Sequence, residues 1–506
     1  MEPIEGTSVP EPSTSGPHNP LNRRSALRLF GAAAAAVPIG GLAAACSSSS
    51  GGNTSSSAAG NTAASSTAGG ATGSSAAGGS ASAGGSSSAG ASGGAGGSSS
   101  GGGSSPAPED VSGTLVMAYL GDATQQKAFQ ALFDEFNKTY PKVQVKATGI
   151  AAGDWGTFAS TISTQIAGGK VFDIVDVATE GQLLMSSKGV LEPLDDFIAR
   201  DKAVVDDYYN DIDPHLKEWS AKYGSPDGKT YFIPGGYNTV CMYCNTDVFS
   251  QAGVDLPADT WSWDDFFAAG QQIKDKTGAF MLGIGYGFPF VDIMPWLLTN
   301  GASTLDADWK NPTLGTPEAV AAATFVKKML DAGLSPKPGG AFDAASQYQK
   351  GKLATLGGGR WPTLDIRRLK MVDKTQIVPW PMQTKPGSPA GWDGWPIMKA
   401  SQNKEAAWAF LKWIMSPDAS KFYAQVGGTN VPARNSVASS SVFTDDAPKG
   451  TENLMKAITY ATPIPSPARG TEVQNVITKA WQAAILGTSS VQQAFDNADS
   501  QLKPLL

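Results

Sequence analysis

The chain has 506 residues, with 38 Lys and Arg against 45 Asp and Glu, a formal charge of -7, and only three cysteines and two histidines. No basic run extends beyond pairs such as Arg367-Arg368, so the electrostatic footprint of a nucleic-acid binder is missing. His18 precedes Cys46, which leaves His215 as the single candidate for histidine chemistry and excludes a zinc site built on a histidine cluster.

In chain order, the first element is "NRRSALRLFGAAAAAVPIGGLAAAC", residues 22–46. A basic start ending in Arg23-Arg24, a weakly apolar stretch and small residues before Cys46 read as a signal peptide. A membrane-spanning helix is disfavoured, because Ala and Gly are weakly apolar and Pro38 and Gly40-Gly41 interrupt the run. Ala43 to Ala45 followed by Cys46 resemble the lipobox of bacterial lipoproteins, with Leu42 one place earlier than usual. "RRSALR" resembles a twin-arginine export signal, with Ala26 where that pattern usually has Phe. The resemblance implies an acylated Cys46 that anchors the mature chain to the membrane. Residues 47–109 are almost all Ser, Gly and Ala, a composition that cannot offset its ordering entropy and reads as a tether. Its root-mean-square reach is roughly 45 Å.

From Val111 the pattern changes. "GTLVMAYL" predicts a buried strand, and in the next segment Phe129, Leu132, Phe133, Phe136 and Tyr140 fall at helical spacing until Pro141. "VQVKAT" predicts a strand, Phe158 to Ile166 a helix, "FDIVDVA" a strand, and a helical stretch leads to "GVLEPLDDFI". This alternation predicts an α/β fold with a mainly parallel sheet. Further on, Thr316 is placed to cap a helix that has Pro317 and Glu318 in its first turn and Gly333 at its end, while "NKEAAWAFLKWIM" predicts another, halted near Pro417. There are 13 tryptophans, none before Trp155, which suggests two lobes with aromatic surface beyond core needs.

The segment "GKTYFIPGGYNTVCMYCNTDVFSQAGVDLPADTWSWDDF", residues 228–266, resembles the extracellular solute-binding proteins of bacterial ABC importers, in the sugar-binding family that includes the maltose-binding protein. The likeness continues through residues 167–194, 348–366 and 399–424. It implies an α/β, two-lobed periplasmic-binding-protein fold of type II with the ligand cleft between lobes, one lobe from 111–236 and 392–440, the other from 237–391 and 441–506. It also implies a monomeric receptor on the extracellular face of the cell membrane, held by Cys46, that captures a carbohydrate and delivers it to an ABC permease without catalysis, cofactor or metal. Cys241 and Cys244 depart from the family pattern. They read either as a CxxC metal or redox pair or as two small apolar residues on opposite faces of a strand.

By position, Asp122 and Glu180 match acidic ligand contacts of the family, Asn238 stands where the family has a glutamate, and Trp361, in "GGGRW", matches a stacking platform. Trp155 and Trp392 are added for their loop positions beside glycines, since sugars stack their C–H faces on aromatic rings. Arg360 and Arg434 are candidates to pair with a carboxylate or phosphate, which would favour an acidic sugar. A surface glycoside hydrolase using paired carboxylates, and a structural or adhesive lipoprotein, stay open as alternatives.

Overall fold

The structure, a computed structural model, describes residues 105–506 apart from positions 122, 258 and 427. The expected signal peptide, Cys46, nearly all of the tether and Asp122 lie outside the described residues.

Strand β1 (Gly113–Leu120) is the middle of a parallel sheet, paired with β2 (Val143–Ile150) on one side and β3 (Ile174–Val175) on the other. Helix α1 (Ala123–Thr139) turns Phe129, Leu132, Phe133 and Phe136 into the core, as their spacing predicts. Helix α2 (Trp155–Ala167) begins where the Asp154 side chain accepts the Thr157 N–H at 2.8 Å. The segment expected as one strand, "FDIVDVA", breaks at Asp176: β3 belongs to the first sheet, and β4 (Val177–Ala178) pairs antiparallel with a strand of the next. Helix α3 (Thr179–Ser187) follows directly.

The second sheet gathers β4, β5 (Ile233–Asn238), β10 (Ser388–Trp395), β11 (Val431–Pro432) and β12 (Ala461–Pro463); β10 runs antiparallel to β4 and β5 and parallel to β12. The third contains β6 (Cys241–Asn245), β7 (Phe280–Leu282), β8 (Leu353–Gly358) and β9 (Thr375–Pro379), with β6 antiparallel to both neighbours. The sheets are therefore mixed rather than mainly parallel. Residues 111–194 have the strand-helix rhythm that parallel pairing requires, whereas β5 and β10 meet across long excursions that return the chain in the opposite sense.

Two boundary details also differ from expectation. Thr316 does precede the helix Pro317–Asp331, but its hydroxyl donates back to the Thr313 carbonyl at 3.0 Å instead of capping. Pro417 does not only halt the helix Lys404–Ile414; it opens the next one, Pro417–Val426, where its missing N–H is tolerated.

The apolar interior has two large clusters. One packs Phe133, Phe136, Trp395, Trp408 and Phe410, the other Phe249, Trp263, Trp296, Phe325 and Trp481. Cys241 packs into the first and Cys244 into the second, so the two thiols leave β6 on opposite faces. Burial pushes both thiol pKa values up, that of Cys241 to about 12. The tryptophans serve mainly as core. Only Trp155, Trp361 and Trp413 are partly exposed, and two of these line the cavity described next.

Candidate functional site

Three adjoining cavities open where the strands end. The innermost, about 360 Å³, is walled by Trp155 at the start of α2, Glu180 in the first turn of α3, Asn238 at the end of β5, Trp361 just beyond β8, and Trp392 and Asp393 on β10. A second, about 810 Å³, shares Trp155, Phe288, Trp361 and Asn430 with it and reaches Asp154 and Asp176. A third, about 640 Å³, continues behind Phe288 and Trp361. Positions at strand ends and helix starts bring side chains from distant segments to one crevice, the usual place for a ligand in an open α/β sheet.

Local chemistry sets each wall. The glycines of "GGGRW" let the chain turn tightly behind Trp361: a Cβ on Gly359 would come within 2.5 Å of the Trp361 ring and into the Asn238 amide. The Trp361 ring centroid lies 6.1 Å from those of Phe288 and Phe290, forming an apolar corner. Trp155 stands edge-on to Phe158 at 5.6 Å, so its ring is braced from behind. Apolar rings beside convergent polar groups are what a small polar ligand with C–H faces requires.

Five of the expected contacts, Trp155, Glu180, Asn238, Trp361 and Trp392, line the innermost cavity together. Two of the five are already committed. Asn238 donates to the Thr429 carbonyl at 3.2 Å and to Asn430 Oδ1 at 2.7 Å, and accepts the Arg360 backbone N–H at 2.7 Å, so it pins the glycine turn to the segment before β11. Trp392 is 2% exposed, its ring lies 5.7 Å from Trp219, and its Nε1–H donates to Gln182 at 3.0 Å, which makes it a wall more than a platform.

The two arginines are placed differently from expectation. The Arg360 guanidinium turns away to lie 4.5 Å over the Phe443 ring, donating to the Phe443 carbonyl at 3.3 Å, and burial lowers its pKa to about 10. Arg434 is 3% exposed and is fully engaged, with Nη1 on Asp211 at 2.9 Å, Nη2 on Asp207 at 2.6 Å and Nε on the Met415 carbonyl at 2.7 Å. Neither lines any of the three cavities. Once apolar cores surround a guanidinium, a structural carboxylate or carbonyl holds it better than a transient ligand can.

The structure adds residues that the sequence reading passed over: Phe288, Phe290, Asp393 and Asn430. "GWDGW" and "GFPF" did carry a signal, an aromatic or acidic residue flanked by glycine at a turn or strand end. Asp393 and Asp176 are each 3% exposed. Burial, and for Asp176 also the Asp393 charge, drives both carboxyls upward. Glu180, 8% exposed, is raised to about 7 by burial, opposed by its own N–H and reinforced by Asp154. His215 sits apart, with Nδ1 2.8 Å from Asp213, and no group of three or more potential ligands able to hold a metal occurs among the described residues.

A family profile described as bacterial extracellular solute-binding protein matches residues 121–421. A Brucella abortus protein named as a binding protein is 23% identical over 375 residues, 70% of this chain and 84% of that one. The Bacillus subtilis arabinooligosaccharide-binding protein is 27% identical over 227 residues, 44% of this chain and 49% of its own. Among solved structures, the GacH receptor of Streptomyces glaucescens, determined unliganded and with acarbose, shares the fold with a TM-score of 0.68 at 24% identity, covering 78% of this chain and 99% of that one.

Proposed function

The chain belongs to the bacterial extracellular solute-binding proteins, and on that basis we propose that it is a lipid-anchored, monomeric receptor that captures a carbohydrate by lobe closure and hands it to an ABC permease. The observation that carries the carbohydrate reading is the innermost cavity, where the partly exposed Trp155 and Trp361 rings face the same space as Glu180 and Asp393. Rings of this kind stack on sugar C–H faces while carboxyl oxygens accept sugar hydroxyls. The Bacillus subtilis relative, named for an arabinooligosaccharide, and the acarbose-bound receptor of the same fold lend the reading support. In it the lobes divide at 236/237, 391/392 and 440/441, and closure follows from tighter ligand binding to the closed form. Asp122, next to the described first strand, is a further ligand contact in this reading. Acylated Cys46, delivered by a twin-arginine signal, holds the protein at the extracellular face of the cell membrane, with residues 47–109 as its tether.

A thermal-shift screen of the full chain against neutral mono- and oligosaccharides, sugar acids and sugar phosphates tests the reading. A ligand at 100 times its dissociation constant adds about 2.7 kcal/mol of stability. A panel that leaves the melting temperature unchanged throughout refutes a carbohydrate receptor. Recovery of the bound sugar unaltered distinguishes a receptor from a glycosidase, the activity that paired buried carboxyls would otherwise support.

A further inference from the structure

The charge around the cleft is one-sided. Asp154, Asp176, Glu180 and Asp393 line the first two cavities, and no Lys, Arg or His lines either of them, or the third, among the described residues. The arginines that would have balanced them point elsewhere, Arg360 over the Phe443 ring with its Nη1 unpaired, and Arg434 to Asp207 and Asp211.

A second, independent observation concerns individual atoms. Asp176 and Asp393 are each 97% buried, and Oδ1 of each has no hydrogen-bond partner. Both sit on the cavity walls, Asp393 on the innermost and Asp176 on the second. Buried polar atoms are almost always paired, and of the seven unpaired buried side-chain atoms among the described residues these two carboxyl oxygens are the ones that belong to residues lining the first two cavities.

Resting on the reading of this cleft as the ligand site, we propose that the sugar carries a protonated amine, seated between Glu180 and Asp393 and flanked by the Trp155 and Trp361 rings. A hydroxyl hydrogen-bonds a buried carboxyl in either protonation state and gains nothing from its ionisation. An ammonium pairs with the ionised form, to which it offers three donors and a positive charge, and aromatic faces attract it further. The same surroundings repel sugar acids and phosphates, the opposite of what Arg360 and Arg434 suggested.

Protons are part of the exchange. Glu180 faces Asp154 from the start of α2, and Asp393 faces Asp176, the Gly235 and Gly236 amides and Asn430, with the Tyr423 hydroxyl in the field of both aspartates. No cation is among these groups, and the ligand-free carboxyls hold protons near neutral pH that an arriving ammonium displaces.

The test is titration calorimetry of the full chain at about pH 7 in two buffers of different ionisation enthalpy. The probes are glucosamine and galactosamine, di- and trisaccharides of glucosamine, their N-acetylated forms, the corresponding all-hydroxyl sugars, maltotriose, arabinotriose and glycerol 3-phosphate. The expected result is binding of a free-amine sugar at least tenfold tighter than its acetylated and hydroxyl counterparts, with proton release seen as a buffer-dependent heat. Glu180→Gln, an isosteric change on the cavity wall, narrows that preference at least fivefold, and Asp393→Asn does the same if it folds. An acetylated or hydroxyl sugar that binds as tightly as its amine overturns the proposal and leaves the receptor reading standing. Tighter binding of glycerol 3-phosphate than of every amine overturns both the proposal and the carbohydrate reading, as does the absence of binding by any probe.

Discussion

Replacing Arg434 with methionine separates a structural arginine from a ligand contact. The side chain is 3% exposed, and its three polar contacts differ in weight. Asp207 has a side chain 68% exposed, so its share is screened by water and worth about 0–1 kcal/mol. Asp211, 24% exposed, also accepts from Ser436, and its loss of a charged donor is of order 1 kcal/mol. The Met415 carbonyl, buried under the helix end, loses its Nε–H donor at about 1–3 kcal/mol. The methionine retains part of the packing on Tyr208, where the guanidinium lies 5.3 Å from the ring. The sum is about 3 kcal/mol, the low edge of what breaking a buried pair costs. With an unfolding entropy of about 0.8 kcal/mol/K for roughly 400 residues, the melting temperature falls by about 4 °C. The assay is paired calorimetric melting and ligand titration of wild type, Arg434→Met and the control Asp207→Asn, which shifts melting by about 1 °C or less. An unchanged melting temperature together with an affinity loss above tenfold would refute the structural assignment and restore Arg434 as a ligand contact.

Trp361→Ala removes one ring of the aromatic corner and weakens sugar binding by about 2- to 12-fold, from the roughly 0.5–1.5 kcal/mol of an aromatic pair; intrinsic-fluorescence titration reads it, and full affinity argues against Trp361 as a platform. Glu180 holds its proton to about pH 7 in the folded ligand-free chain but only to about 4.5 when unfolded, so the folded state binds more protons between those values. Stability of the ligand-free chain therefore decreases as pH rises through that window, by at most about 3 kcal/mol from this group, and urea midpoints at about pH 5 and pH 8 in wild type and Glu180→Gln expose its share. Asp176 and Asp393 act with the same sign. Cys241 and Cys244, buried on opposite faces of β6, react with a thiol reagent only after denaturation; rapid labelling of either in the native chain, told apart from Cys46 by peptide mapping, contradicts that placement.

Local pattern determined a good deal of this protein. The period of Phe129, Leu132, Phe133 and Phe136 fixed α1 and its buried face, because helical spacing alone decides which side chains share a stripe. The resemblance to the solute-binding family pointed to Glu180, Asn238 and Trp361, and loop positions beside glycine to Trp155 and Trp392, and all five line the first cavity. What the sequence could not convey is where a long side chain goes once the core closes around it. Arg360 stands next to Trp361 in the chain, yet the backbone turn that sends the ring to the cavity sends the guanidinium to Phe443. Asp393 reads as one more acidic residue among 45 until β4 and β10 pair and bring Asp176 beside it in the dry interior. Spacing along a chain specifies elements, while the balance of charge in a cleft depends on which distant segments meet there, and only tertiary packing brings them together.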